Sequence, residues 1–375
     1  MVQEAIPGFL EWGEARRFSS AFRSRFVAPT HDPRSPQCLV HIRATPISPG
    51  DLYNVRMGAT PFSVRAVIKK SPTSFYYLPP FFVSIHSHRS ANQLEADAPK
   101  PPFVAGNDGL AVVMKVGPGC KQLNEGDWVV PHKPGLGTWR SLAVWRERDV
   151  LKLPPDLMPV EYAAMMREMC VAYRLLEDNG SLKPGDGVIL NAATSTVGCC
   201  VIQLCRMLKL RAVAVVRDPP PPPAPADATA ADAAAEAAAA AEAFERTAAR
   251  LRALGAAEVV RDGRPLAPQL AAAKFFAKPR LGLDAVGGAS AAGLADALAD
   301  GCQLVVYGCM SGRAPHFPWS AWVFKDLQVR GFSLRRWMKD NKKKARQPRL
   351  FCCTHFSFFS NLPYPFFVPS RHRSR

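Results

Sequence analysis

The chain has 375 residues, of which 48% are hydrophobic, and a formal net charge of +17. That length supports two domains of ordinary size, each with its own core. No run of about 18 apolar residues occurs, which argues against a transmembrane helix, and ten cysteines without a CxxC pair argue against structural zinc and for free thiols.

The charge is unevenly spread. From Arg335 to Arg375 there are eleven Lys or Arg against one acid, Asp340, which is +10 of the +17. A basic tail attracts polyanions without sequence preference. The expectation is therefore no specific nucleic acid and no membrane partner for the main body.

In chain order, residues 1–37 form an N-terminal extension. The Arg- and Ser-rich stretch EARRFSSAFRSRF suits a mitochondrial or plastid transit peptide, whereas Glu4, Glu11 and Glu14 argue against one; a solvated end is the alternative. Residues 38–155 read as a mostly β domain. Cys38 to Ile47 alternates as a half-buried strand, and a turn with a short helical piece follows in SPGDLYNVRMG. Ser63 to Lys100 is an irregular insert without period. From residue 101 glycine-punctuated β patterns resume through DGLAVVMKVG, LNEGDWVVP and GLGTWRSLAVWR.

Residues 156–340 alternate between strand and helix. Val160 to Gly180 reads as one helix. Val188–Leu190, Ala212–Val216, Glu258–Val260, Leu281–Val286 and Leu304–Tyr307 read as strands. Val197–Leu208, Phe244–Leu254 and Ala291–Leu298 read as helices. Repeated units of this size predict an α/β fold with a Rossmann doubly wound parallel sheet. A Pro/Ala-rich insert at 219–243 reads as an exposed excursion, its alanine run marginally helical. Residues 341–375 are a basic, irregular tail.

The strand-turn-helix VILNAATSTVGCC is the candidate nucleotide site. Backbone N–H groups at a helix start stabilise a pyrophosphate. The pattern Ala192-x-x-Ser195-x-x-Gly198 substitutes small residues for two of the usual glycines. Thr194, Ser195 and Thr196 add hydroxyls that can bond phosphate oxygens, and Gly198 permits close packing. The next strand ends in Arg217 and Asp218. An acid there suits the ribose 2′-hydroxyl of NAD, while arginine suits the 2′-phosphate of NADP, and the pair together favours NADPH.

NAATSTVGCCVIQLCRMLKLRAVAVVRD resembles the cofactor segment of mitochondrial trans-2-enoyl-CoA reductases, in the zinc-free branch of the medium-chain dehydrogenase/reductase superfamily. The likeness extends to ATPISPGDLYNVRMG, FVAGNDGLAVV, LNEGDWVVPHKPGLGTWR, CVAYRLLEDNGSLKPGDGVI, LRALGAAEVV, PRLGLDAVGG, LVVYGCMSG and FKDLQVRGFSLRRWMKD. It implies a GroES-like β domain beside the Rossmann domain. It also implies a homodimer, mitochondrial location and NADPH-dependent reduction of enoyl-CoA or enoyl-acyl-carrier-protein in fatty acid synthesis. By the same resemblance, cofactor contacts fall on Glu168, Thr194, Ser195, Thr196, Val197, Arg217, Asp218, Tyr307, Gly308, Cys309, Met310, Phe332, Ser333 and Leu334. No metal is implied: the zinc-ligand positions of relatives fall on Ser48, Asn107 and Arg167.

Three departures follow. The family's catalytic tyrosine position falls on Thr60, and Glu168 replaces an asparagine. After about Lys344 the chain does not return to complete the β domain, which is therefore expected to be incomplete. The aperiodic segments 63–100 and 345–375 share Phe, Ser, Pro, His and basic residues, and read as translated non-coding sequence. Two other functions fit the same residues: a quinone oxidoreductase of the superfamily, and a non-enzymatic nucleotide- or nucleic-acid-binding protein.

Overall fold

The computed structural model describes residues 36–46, 104–155, 158–217, 230–273 and 277–345. These fall in two compact units, the second of them spanning Glu168–Asn341.

The first unit is built on a five-stranded antiparallel sheet. Its strands are β1 (Gln37–Ala44), β2 (Leu110–Val116), β3 (Trp128–Pro131), β4 (Leu142–Arg146) and β5 (Val150–Leu153), in the order β4-β1-β2-β3-β5. Alternation in β1 puts Cys38, Val40 and Ile42 on one face. They join Ala111, Val113, Val129, Ala143 and Trp145 in a common core. Gly109 sits where a side chain would strike the Ala44 carbonyl oxygen at 2.7 Å, so β2 can begin only with glycine before it. A short helix, α1 (Val160–Ala164), follows.

The expected single helix from Val160 to Gly180 is instead two. Met165, at φ −95° and ψ 17°, separates α1 from α2 (Met166–Glu177). No Gly or Pro marks this break, so periodicity could not show it.

In the second unit, β6 (Gly187–Leu190) leads into α3 (Thr196–Met207) and β7 (Arg211–Val216). Then come α4 (Ala230–Leu254), β8 (Ala256–Arg261), α5 (Leu266–Ala272), β9 (Leu281–Asp284), α6 (Gly288–Ala297) and β10 (Gln303–Val306). The chain continues through α7 (Trp319–Val323), β11 (Gln328–Gly331) and α8 (Leu334–Asp340). A last turn, α9 (Lys342–Ala345), belongs to the first unit. The six strands are all parallel, in the order β11-β10-β9-β6-β7-β8. Strands β6 and β9 are buried throughout, because helices cover both faces of such a sheet. This explains the unbroken apolar run of β6 and the Leu-Gly-Leu that opens β9.

Three boundaries change. The Pro/Ala-rich segment is not an excursion over its whole length: from Ala230 it is the first half of a 25-residue helix that continues through Phe244–Leu254. Alanine has the best helix propensity, and the packed half anchors the exposed half. The strand expected at Leu281–Val286 stops at Asp284, and the one at Leu304–Tyr307 stops at Val306. Gly255 follows α4 at φ +118°, and a side chain there would meet Arg206 at 2.7 Å.

Candidate functional site

The strand order places β6 beside β9, with β7 and β8 on one side and β10 and β11 on the other. This is the point at which a doubly wound sheet reverses direction. Ligands of such sheets bind outside the carboxyl ends of the strands at that point.

The turn after β6 is tightly specified. Ala192 adopts φ +48°, unusual for a residue with a side chain. Ser195 caps α3, its Oγ accepting from the Gly198 N–H at 3.1 Å. One lone pair of that hydroxyl is thus committed to the helix, and its O–H remains to donate. Helix geometry leaves the N–H groups of the first turn without intrahelical acceptors. Thr194 is exposed and Ser195, Thr196 and Val197 are half-buried, while Gly198 and the helix behind it are buried. A side chain at Gly198 would meet the Ala192 carbonyl oxygen at 2.6 Å and the Ala193 Cα at 2.8 Å. The one glycine of the motif is therefore required by the turn's own backbone.

Asn191 knits the floor of the crevice. Its Nδ2 donates to Asp284 Oδ1 at 2.6 Å and to Ser290 Oγ at 3.0 Å, and its Oδ1 accepts from the Ala285 N–H at 2.8 Å. Asp284 Oδ1 also accepts from the N–H groups of Val286 and Gly287, at 3.0 and 2.9 Å. Neither Asn191 nor Asp284 was expected at the site. The available signal was an Asn and an Asp each ending an apolar strand, where a buried polar residue must find partners.

The loop after β10 closes over the loop after β9. Met310 N–H donates to the Ala285 carbonyl at 2.9 Å and Ser311 N–H to that of Val286 at 3.0 Å. Gly287, at φ +77°, lies where a side chain would strike the Arg313 carbonyl oxygen at 2.4 Å. Of the expected contacts here, Cys309 and Met310 are exposed, Gly308 is half-buried, and the Tyr307 hydroxyl is buried without a hydrogen-bond partner among the described residues. Burial, then the nearby Asp284 charge, push its phenol well above its ordinary value.

Arg217 is exposed at the carboxyl end of β7. Phe332 N–H donates to the Val306 carbonyl at 2.9 Å, and Ser333 and Leu334 start α8 just past β11. Thr194–Val197, Arg217, Tyr307–Met310 and Phe332–Leu334 thus lie along one edge of the parallel sheet. Glu168 is half-buried in the first turn of α2. Thr60 and Asp218 lie outside the described residues, as do 63–100 and 346–375.

Of the positions matching relatives' zinc ligands, Ser48 lies outside the described residues, and the other two, in the first unit, hold other interactions. Asn107 Oδ1 accepts from the Gly135 N–H at 2.9 Å, and Arg167 Nε pairs with Asp108 Oδ1 at 2.6 Å. Thr45 and Thr138 hydroxyls both donate to the Asp108 carbonyl at 2.8 Å. A guanidinium here is unsuited to a cation, and no group of three or more metal-binding side chains occurs among the described residues.

No protein-family model matches the chain. It is 38% identical over 247 residues to the human mitochondrial enoyl-[acyl-carrier-protein] reductase, covering 65% of this chain and 60% of that one. The Caenorhabditis elegans enzyme of the same name is 34% identical over 264 residues, covering 69% of each. The chain thus spans about 60% of the length of the first of the curated relatives it matches. Among solved structures, the mitochondrial 2-enoyl thioester reductase Etr1p/Etr2p heterodimer from Candida tropicalis superposes with a TM-score of 0.64 at 22% identity, covering 89% of this chain and 84% of that one. A complex of Etr1p with NADP and crotonyl-CoA gives 0.63 at 22%, covering 90% and 84%. At that identity the likeness speaks to the fold alone. Sequence and fold agree, and the chain belongs to the mitochondrial enoyl-[acyl-carrier-protein] reductase family.

Proposed function

We propose that the chain reduces the double bond of trans-2-enoyl thioesters, carried on CoA or acyl carrier protein, with NADPH in mitochondrial fatty acid synthesis. The observation that carries this reading is the turn Asn191–Ser195 and the start of α3, lying at the reversal point of the sheet in a chain of this family.

The residues present fit a dinucleotide phosphate. The free N–H groups and positive end of α3 face a diphosphate, with Thr194 and Thr196 hydroxyls beside them. Arg217, at the end of the neighbouring strand, suits the 2′-phosphate. When bound, the coenzyme supplies the hydride that reaches the β-carbon of the enoyl thioester. The chain must then hold the thioester oxygen with a hydrogen-bond donor and let a proton reach the α-carbon. Thr60 takes the place of the family's tyrosine in that role. Its hydroxyl is shorter and less acidic than a phenol, so the chain turns over slowly.

The assembly we propose is a homodimer formed through β11. Among the described residues that edge strand pairs on one side only, and all four of its residues are exposed. Beside it in sequence, Trp319, Trp322, Val323 and Phe324 are more than half exposed. A flat edge followed by apolar surface suits a self-complementary interface.

Steady-state NADPH oxidation with trans-2-enoyl-CoA of several chain lengths tests the reading. Slow oxidation that requires the enoyl thioester supports it. Oxidation with quinones and none with enoyl-CoA replaces it with a quinone reductase.

A further inference from the structure

Asp284 ends β9 with its side chain wholly buried, 0% exposed. Three donors converge on Oδ1, namely Asn191 Nδ2 and the N–H groups of Val286 and Gly287. The other oxygen, Oδ2, has no hydrogen-bond partner, and no Lys, Arg or His forms an ion pair with Asp284 among the described residues. The Tyr307 hydroxyl, one strand away, is likewise buried and without a partner. A carboxylate in this setting is offset by dipoles alone, and its field reaches outward with little screening.

Its position gives that field a target. Each half of a doubly wound sheet takes one mononucleotide. With Arg217 on β7 marking the adenosine half, the nicotinamide falls over the ends of β9 and β10. We propose that Asp284 sets the balance between the two redox forms of the coenzyme. Its buried carboxylate favours the cationic nicotinamide ring of NADP+ over the neutral ring of NADPH. This rests on the coenzyme reading above and assigns a role to a residue that touches neither the phosphates nor the substrate. A unit charge acting over about 10 Å at an effective dielectric constant of about 20 changes such an equilibrium roughly tenfold. In the reaction, the charge holds the oxidised product on the enzyme and slows its release.

The test is a pair of fluorescence titrations, with NADP+ and with NADPH, on the full chain and on Asp284→Asn. The carboxamide oxygen can keep the three hydrogen bonds while the charge is removed. The expected result is a roughly tenfold loss of NADP+ affinity relative to NADPH. Equal weakening of both forms would mean that Asp284 only shapes the floor of the crevice, and would overturn the proposal. Should Asp284→Asn fail to fold, the unaltered chain decides: NADP+ is expected to bind at least as tightly as NADPH, and tighter binding of NADPH than of NADP+ overturns the proposal. Absence of binding by either form to the unaltered chain overturns the coenzyme reading itself, a separate failure.

Discussion

Replacing Gly198 with Ala tests the turn that the functional reading depends on. Two effects oppose each other. In a helix interior, Gly→Ala is favoured by about 1 kcal/mol through propensity. Here the new methyl would lie 2.6 Å from the Ala192 carbonyl oxygen and 2.8 Å from both the Cα and the carbonyl oxygen of Ala193. All three are backbone atoms, so no flexible side chain can yield. Overpacking of this kind costs about 1–3 kcal/mol, and it falls on a turn already carrying Ala192 at φ +48°. The net expectation is destabilisation of up to about 2 kcal/mol, a fall of up to roughly 8 °C in melting temperature for a unit of this size. The turn must also shift by some tenths of an ångström, lifting the helix start away from the diphosphate. NADPH affinity should then fall about three- to tenfold. Thermal melting with and without NADPH checks both numbers. A variant that melts higher than the parent and binds NADPH equally well would refute the packing argument.

Other outcomes follow from the same geometry. Ala192→Gly removes a left-handed alanine and is expected to stabilise the fold by up to about 1 kcal/mol in chemical denaturation, with NADPH affinity unchanged. Ser195→Ala deletes the cap on Gly198 and is expected to cost about 1 kcal/mol in the same measurement. Arg217→Ala should weaken NADPH far more than NADH by fluorescence titration; equal losses would remove its assigned role. Thr60→Tyr should raise kcat for enoyl-CoA at least tenfold in the oxidation assay if position 60 supplies the donor, and leave it unchanged otherwise.

Much of the site was legible because its signals are local. An apolar run, small residues in a tight turn and a 3.6-residue period place β6, the turn and α3 without tertiary information. The role of Gly198 follows from the same few residues. The floor of the crevice was not legible. Asn191 and Asp284 meet only because β6 and β9 pair at a sequence separation of 93, and no local pattern carries that pairing. Strand β11 escaped notice for a different reason: it is an edge strand exposed along its whole length, so it shows no alternation. The alanine run before Phe244 read as marginally helical, but not as one helix with Phe244–Leu254, because it carries no apolar period of its own. Ser195 also shows how a sequence role changes in three dimensions. Its oxygen, expected to serve phosphate, first serves the helix.

The central claim is that the start of α3 and Arg217 together hold a phosphorylated nicotinamide dinucleotide. Equilibrium binding of NADPH and NADH to the purified full chain tests it directly. The account predicts saturable binding of NADPH with a clear preference over NADH. Binding of NADH in preference to NADPH, or of neither, would contradict it.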